Sequence, residues 1–400
     1  MAEAGYDYVI VGGGSAGCVL ANRLSENSSA RVLLLEAGGK DRHPLIHMPV
    51  GFAKMTTGPH TWGFTTAPQK HANNREIPYA QARVIGGGSS INAEVFTRGN
   101  PADYDRWARE EGCEGWAFKD IQQYFIRSEG NTILSGDWHG TDGPLGVSDI
   151  PDPQPMTRAF IQSCQERGIP YSPDFNGEAQ AGCGAYQTTT KNYRRCSAAV
   201  GYLKPVLNRP NLTVETGCQV LKVEFVGNRA HGVEYIRGGG EPRRVRAESE
   251  VIITSGAIGT PKLMMLSGIG PAAHLKKHGI DVVHDLPGVG ENLNDHFGID
   301  IVAELNGHYS LDKYNKPHWA VWAGMQYVFF RSGPITSNVV EGGAFWFADD
   351  SQPVPDLQFH FLAGAGAEAG VPSVTKGSSG ITLNSYTLRP KSRGTVRLRS

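Results

Sequence analysis

Residues 6–17 read YDYVIVGGGSAG, and this stretch decides the fold of the N-terminal unit. Its first six residues form an apolar run that predicts a buried strand. Residues 12–17 satisfy the G-x-G-x-x-G pattern, and residues 18–24 carry small and apolar side chains at helical spacing. Residues 31–36, RVLLLE, predict a second strand that ends on an acid. The order of strand, glycines, helix, strand and acid predicts a βαβ unit that binds a dinucleotide.

Each part of this pattern has a physical task. Gly12 permits a tight turn, Gly14 lets the backbone approach a pyrophosphate, and Gly17 lets the helix pack against the strand. The helix N-terminus offers free N–H groups to the phosphates. Glu36 follows Gly12 by 24 residues and is placed to accept hydrogen bonds from an adenosine ribose. The motif alone leaves FAD and NAD open, and a glycine-rich turn in an ordinary α/β domain is the plain alternative.

Composition narrows the class of protein. The chain has 400 residues, which predicts two joined domains rather than one core. Its 40% hydrophobic and 19% charged residues are typical of a soluble globular protein. The net charge of −1 implies no basic face and argues against a nucleic-acid partner.

The cysteines and the N-terminus point to a cytoplasmic location. No C-x-x-C pair occurs, so the spacing suggests neither a disulfide framework nor a metal site. The first residues lack the basic region and apolar core of a signal peptide. No apolar run approaches ~18 residues, so no membrane-spanning helix is expected. Peripheral membrane contact and self-association stay open. The six cysteines are Cys18, Cys113, Cys164, Cys183, Cys196 and Cys218.

Two later segments carry more specific patterns. Residues 82–105 read ARVIGGGSSINAEVFTRGNPADYD, where the glycine run lets backbone lie against a flat ring system. Ser89 or Ser90 is expected to cap a helix over residues 89–96. Residues 256–270 read GAIGTPKLMMLSGIG and follow a predicted strand. Thr260 is expected as the N-cap of the next helix, with Pro261 in its first position and a stop near Gly268.

These two segments resemble the two signatures of the GMC (glucose–methanol–choline) oxidoreductase family. Residues 137–147 and 286–296 also fit, so the resemblance covers essentially the whole chain. It implies an α/β, Rossmann-like FAD-binding domain from residues 1–150 and 195–297. An interleaved α+β substrate domain would take residues 151–194 and 298–400, be built on a mostly antiparallel sheet with helices, and be incomplete at its C-terminus. Its expected strands cover residues 298–305, 342–347, 356–361 and 381–388.

The resemblance also implies which residues hold FAD. Some relatives carry a histidine immediately before Asn92 that bonds covalently to the flavin, whereas this chain has Ile91, which predicts noncovalent FAD. The N-terminal end of the expected 89–96 helix would stabilise anionic reduced flavin. The implied cofactor residues are Gly12, Gly14, Ser15, Ala16, Gly17, Glu36, Ala37, Trp62, Arg83, Gly87, Gly88, Asn92, Ala93, Glu94, Val95, Val220 and Gly256.

The activity implied by the family is oxidation of a primary alcohol to an aldehyde by hydride transfer to the flavin. No catalytic residue is expected within residues 1–400, because the family's general-base histidine would lie beyond Ser400. His360 lies at a position that lines the substrate pocket in some relatives, and a structural role in the sheet is an equal alternative. The last nine residues, SRGTVRLRS, predict a strand.

Residues 43–62, 91–107 and 356–371 are similar to the bacterial L-sorbose dehydrogenase branch of the family. This branch oxidises L-sorbose to L-sorbosone and passes electrons to an acceptor other than oxygen, such as a quinone or a dye. Four alternatives stay open. They are a choline, aryl or aliphatic alcohol dehydrogenase or oxidase of the same family, a hydroxynitrile-lyase-type FAD protein, an NAD-dependent dehydrogenase, and a nonenzymatic FAD-binding protein.

Overall fold

The computed structural model describes residues 5–307, 309–349, 351–366 and 379–400. Residues 1–4 at the N-terminus and residues 367–371 of the sorbose-dehydrogenase-like stretch lie outside the described residues. The expected strands and all the candidate site residues lie within them.

A six-stranded sheet is built around the N-terminal strand. Its first four strands run parallel, and its last two join antiparallel to their neighbours. All five residues of Val32–Glu36 are buried, because helices or loops cover both faces of a parallel sheet. The spatial order of the strands is Leu212–Thr216, Val32–Glu36, Gly5–Val11, Arg243–Ile253, Arg229–Arg237 and Cys218–Val226.

The predicted βαβ unit is confirmed at the start of this sheet. Strand Gly5–Val11 leads through the glycine turn into helix Ser15–Leu24, and Val32–Glu36 pairs beside the first strand. Cys18 and Ala21 on the helix are fully buried in the cluster that contains strand residues of the sheet. This packing fixes the helix N-terminus above the end of the first strand.

A second sheet has five strands, and every neighbouring pair in it is antiparallel. This confirms the expected antiparallel sheet. Helix Pro155–Glu166 packs on one face, where Phe160 stacks on Phe361 with 5.0 Å between ring centroids. The spatial order is Gly298–Glu304, Gly380–Thr387, Leu357–Leu362, Val340–Trp346 and Gly182–Ala185.

Shorter elements connect the two sheets. Three strands form a further small sheet, in the order Glu129–Asn131, Leu145–Asp149 and Gln187–Thr188. The two-stranded pairs are Phe64–Thr65 with Pro78–Tyr79, Thr190–Lys191 with Arg194–Arg195, and Ile269–Gly270 with His284–Asp285. The remaining α-helices are Pro44–His47, Phe52–Met55, Pro101–Glu110, Phe118–Ser128, Gly256–Leu266, Ala272–Lys277 and Pro317–Phe330.

The two sheets draw on different parts of the chain. The strands of the six-stranded sheet lie between residues 5 and 253, and those of the five-stranded sheet lie at residues 182–185 and 298–387. The domain boundaries given above stay a prediction.

The expected helix over residues 89–96 is wrong. Residues Gly87–Ser90 form a single 3-10 turn, and Glu94 has a φ of 62° that a helix does not allow. The hydroxyls of Ser89 and Ser90 donate to carbonyl oxygens of the preceding turn instead of capping N–H groups ahead of them. The expectation that a helix dipole at this point stabilises reduced flavin is therefore also wrong.

Two other local expectations are also wrong. Helix Gly256–Leu266 begins after Ser255, so Thr260 is not its N-cap and Pro261 lies inside it. The expected stop is confirmed, since Gly268 follows the helix with a φ of 83°. The last nine residues form no strand, and one bridge joins Gly394 to Leu293.

Among the described residues, no helix is both long enough and apolar enough to cross a bilayer. Helix Pro317–Phe330 has 14 residues and exposes several large apolar side chains. The most exposed of them are Val321, Val328, Phe329 and Phe330.

Gly17 sits where the first helix meets the first turn, and a Cβ there would lie 1.9 Å from the Gly12 carbonyl oxygen. We expect Gly17→Ala to lower the free energy of unfolding by about 1–3 kcal/mol, because the backbone must shift to admit the methyl group. Urea denaturation measures this change. Gly39→Ala is the matched control, since a Cβ at Gly39 meets nothing within 4 Å. Equal stability of the two variants would contradict the packing role of Gly17.

Candidate cofactor site

A cavity of about 790 Å³ opens at the carboxyl ends of the parallel strands. Val11, Leu35 and Ile253 mark these strand ends on its wall. Ligands of open α/β sheets bind at this edge. Twelve of the predicted cofactor residues line the cavity: Gly12, Gly14, Ser15, Ala16, Glu36, Ala37, Trp62, Gly87, Gly88, Asn92, Val220 and Gly256.

The phosphate end of the cavity is built from the first turn. Gly14 is the N-cap of helix Ser15–Leu24 and makes no side-chain cap hydrogen bond. The first N–H groups of this helix therefore remain free for an anion, because no side chain satisfies them. Gly12 has a φ of 110°, and a Cβ there would lie 2.6 Å from the Thr254 carbonyl oxygen. This bare turn fits a pyrophosphate.

The second glycine loop, residues 86–88, lies directly against the first glycine turn, residues 12–17. A Cβ on Gly87 would lie 2.6 Å from the Gly14 Cα, whereas a Cβ on Gly88 would meet nothing within 4 Å. The Gly86 N–H donates to the Gly13 carbonyl oxygen at 2.7 Å. The two loops thus share one wall without side chains, and a flat group can approach their backbone closely.

Glu36 provides the buried acceptor that a ribose requires. Its two carboxylate oxygens accept the N–H groups of Gly13 at 2.7 Å and of Gly38 at 2.6 Å. Burial raises the pKa of Glu36, while these two hydrogen bonds and the nearby Arg83 guanidinium oppose the rise. The amides fix the carboxylate in one orientation, and its remaining lone pairs are free to accept ligand hydroxyls.

Five predicted cofactor residues lie off the cavity wall: Gly17, Arg83, Ala93, Glu94 and Val95. Gly17 acts through packing, as described above. The Arg83 guanidinium lies 4.8 Å from the centroid of the Trp62 ring and supports that wall residue from behind. Roles for Ala93, Glu94 and Val95 in direct contact with flavin stay predictions.

Glu94 lies behind the second glycine loop, where its carboxylate pairs with Arg195 at 2.9 Å. Both side chains are fully buried. Burial raises the pKa of Glu94 to about 7, against the opposing charge of Arg195. The sequence reasoning missed Arg195, because an arginine 101 positions from Glu94 carries no local pattern that would indicate the pair.

Other wall residues were also missed. Lys262 lies on the wall, with its Nζ 5.6 Å from the centroid of the Trp62 ring. Its position in the second signature could have pointed to it. The remaining additions have no sequence pattern of their own and include Thr56, Phe64, Gln81, Thr254 and Ser255.

His360 does not line this cavity. Its Nε2 accepts a hydrogen bond from the Gln358 side chain at 2.8 Å, and its ring packs against Tyr186 and Tyr386. Desolvation lowers the pKa of His360 to about 4. The ring is therefore neutral at physiological pH and suits a sheet interior. Its role in substrate binding stays a prediction.

No group of three or more metal-ligating side chains occurs in the part of the chain that the structure describes. The six cysteines are free thiols, and four of them, Cys18, Cys183, Cys196 and Cys218, are buried. Burial raises the pKa of Cys18 to about 12, so this thiol is inert.

Comparison with known proteins agrees with this geometry. A family model described as GMC oxidoreductase matches residues 6–298. An alcohol dehydrogenase (acceptor) from Pseudomonas putida is 43% identical over 399 residues, covering 99% of this chain and 72% of that protein. An oxygen-dependent choline dehydrogenase from Sinorhizobium fredii is 42% identical over 395 residues, covering 98% and 71%. An FAD-dependent oxidoreductase structure from Chaetomium thermophilum has a TM-score of 0.87 at 28% identity, covering 99% and 76%.

The chain therefore belongs to the GMC oxidoreductase family. It is an FAD-dependent oxidoreductase with the fold of that family, as the sequence predicts. The bare glycine wall, the free helix N-terminus and the buried Glu36 fit FAD. The NAD alternative leaves the second glycine loop without a function.

Glu36→Gln tests the acceptor role of the carboxylate. The variant places an amide NH₂ against one of two backbone N–H donors and removes the charge. Since hydrogen bonds to charged groups contribute about 1.5–3 kcal/mol, we expect at least tenfold weaker FAD binding. Titration of FAD into the apoprotein measures this change. Glu26→Gln, at a half-exposed surface pair with Arg23, should bind FAD as the wild type does. Undiminished affinity in Glu36→Gln would refute the assignment.

Proposed function

We propose that this protein oxidises a primary alcohol to an aldehyde with bound FAD and passes the electrons to an acceptor other than oxygen. The observation that carries this proposal is the glycine-walled FAD cavity in a chain 43% identical to an alcohol dehydrogenase (acceptor). A cavity that holds FAD supports redox chemistry, and the similarity to proteins described as dehydrogenases favours an enzyme over a nonenzymatic FAD-binding protein.

Bound FAD supplies the hydride acceptor. The residues of this chain hold it: the first N–H groups of helix Ser15–Leu24 take the pyrophosphate, and Glu36 takes the ribose. Gly87 and Gly88 present backbone to the flat ring. No histidine lies among the described residues that line the cavity. We therefore assign the general base to none of these wall residues.

L-Sorbose is the proposed substrate within the wider class of primary alcohols. The support is the similarity of residues 43–62, 91–107 and 356–371 to that branch of the family. The choline dehydrogenase relatives favour choline as the second candidate.

The proposed acceptor is a quinone or an artificial dye. Relatives divide on this point, since one is described as acceptor-linked and others as oxygen-dependent. Peripheral membrane contact and self-association stay predictions. Either kind of contact would most directly involve the apolar side chains that helix Pro317–Phe330 exposes.

Noncovalent attachment of FAD is the first testable consequence. Ile91 is 4% exposed, lies on the cavity wall and packs with Ile46, Met55 and Val84. Its hydrocarbon side chain has no atom that can bond to the flavin. We expect acid precipitation to release all the yellow colour into the supernatant. Colour that remains on the washed protein pellet would contradict the prediction.

The substrate proposal is tested with a panel of alcohols and an artificial electron acceptor. We expect L-sorbose to be turned over with a kcat/KM at least tenfold above that for choline and aryl alcohols. A parallel oxygen electrode should record no uptake. Preferred turnover of choline would show that choline, and not L-sorbose, is the substrate. Oxygen uptake equal to substrate loss would show that oxygen is the electron acceptor. Failure of every substrate to bleach the flavin anaerobically would favour the lyase alternative.

A further inference from the structure

The buried Arg195 side chain contacts the chain directly after the second glycine loop, where its Nη1 donates to the Ser89 carbonyl oxygen at 3.2 Å, and it does not itself line the cavity. Its Nη1 donates to the Asn92 side-chain Oδ1 at 2.7 Å and to the Asn92 carbonyl oxygen at 2.8 Å. Its Nε donates to the Ile46 carbonyl oxygen at 2.7 Å. Its Nη2 pairs with Glu94 at 2.9 Å. One guanidinium thus holds both ends of residues 92–94.

A tight hairpin delivers Arg195 to this position. Strands Thr190–Lys191 and Arg194–Arg195 pair antiparallel across a two-residue turn, in which Asn192 and Tyr193 have φ values of 52° and 59°. Positive φ at both central residues is the type I′ turn that matches strand twist. Alternation along the strand exposes Arg194 and buries Arg195.

The contacts of Arg195 decide which way the Asn92 amide faces. Asn92 Oδ1 accepts both the Arg195 Nη1–H and the Glu94 backbone N–H, the latter at 3.2 Å. If the amide were flipped, its NH₂ group would face these two donors. The network therefore fixes the oxygen inward. Asn92 lines the cavity, and its Nδ2 makes no hydrogen bond to any described residue.

We propose that Arg195 is a positioning residue for the cofactor: it fixes the Asn92 amide so that the Nδ2 donor, and not the Oδ1 acceptor, faces the flavin. This inference rests on the proposed placement of flavin beside Asn92. A fixed donor stabilises the reduced flavin, whose ring gains electron density, more than the oxidised flavin. The loop therefore raises the reduction potential without a helix dipole at this position.

The test is a double-mutant cycle on the FAD-loaded protein, with reduction potential measured by equilibration with redox dyes. We expect Arg195→Lys and Asn92→Ala each to lower the reduction potential of the flavin by about 30 mV. This shift corresponds to a tenfold change in the equilibrium constant of a two-electron reduction. In the Asn92→Ala background, Arg195→Lys should cause no further fall. Arg194→Lys is the matched control and should leave the potential unchanged.

An equal shift from Arg195→Lys in both backgrounds would overturn the proposal, because Arg195 would then act independently of Asn92. No shift in the wild-type background would overturn it as well. If Arg195→Lys does not fold, Asn92→Asp decides, since Arg195 can still donate to the new carboxylate. The carboxylate oxygen that then faces the flavin should lower the reduction potential below that of Asn92→Ala. A reduction potential at or above that of the wild type would refute the role of Asn92 Nδ2 as a donor to the flavin.

This measurement needs no alcohol substrate. A protein that fails to oxidise alcohols but shows the coupled fall in potential would refute the proposed function and leave the role of Arg195 intact. A protein that oxidises alcohols but shows no coupling between Arg195 and Asn92 would refute the role of Arg195 and leave the proposed function intact.

Discussion

The structure depends on the contact between backbone segments that have no side chains to keep them apart. Gly12 and Gly17 bring the first turn close to Thr254, and Gly87 approaches Gly14, at distances that leave no room for a Cβ on Gly12, Gly17 or Gly87. The Thr254 hydroxyl donates to the Gly12 carbonyl oxygen at 2.7 Å and holds the turn to the neighbouring strand end. Because the helix, the second loop and strand Arg243–Ile253 all meet here, one added methyl group would displace three elements together.

The same constraint explains the chemistry of the cavity wall. The N–H groups of Gly13 and Gly38 face the Glu36 carboxylate, and the first N–H groups of helix Ser15–Leu24 have no side-chain acceptor. Glu36 satisfies two of these groups and the cofactor phosphates would satisfy others. A buried carboxylate is costly unless it is hydrogen-bonded. The Gly13 and Gly38 amides reduce this cost, which allows Glu36 to remain an acceptor although it is only 7% exposed.

The sequence predicted the features whose cause is local. Apolar runs predicted the first two parallel strands and glycine spacing predicted the first turn, whereas most of the twelve wall residues followed from the family resemblance. Local rules failed at residues 89–96, because the Ser89 and Ser90 hydroxyls bond backward and Glu94 takes a left-handed conformation. The Arg195–Glu94 pair has no local cause. It exists because a hairpin about a hundred residues later folds against the loop, and only tertiary structure brings the two charges together.

The wall of the cavity joins segments that are distant in the chain, namely residues 12–16, 36–37, 87–92, 218–221 and 254–263. A cavity of about 790 Å³ lies between these segments, and FAD bound there would contact all of them at once. A ligand that fills this space binds the folded chain and not the unfolded one. It therefore stabilises the fold by mass action, by about 2.7 kcal/mol at a hundredfold excess over Kd. Cofactor binding and folding are thus coupled, because only the folded chain brings these distant segments together around one cavity.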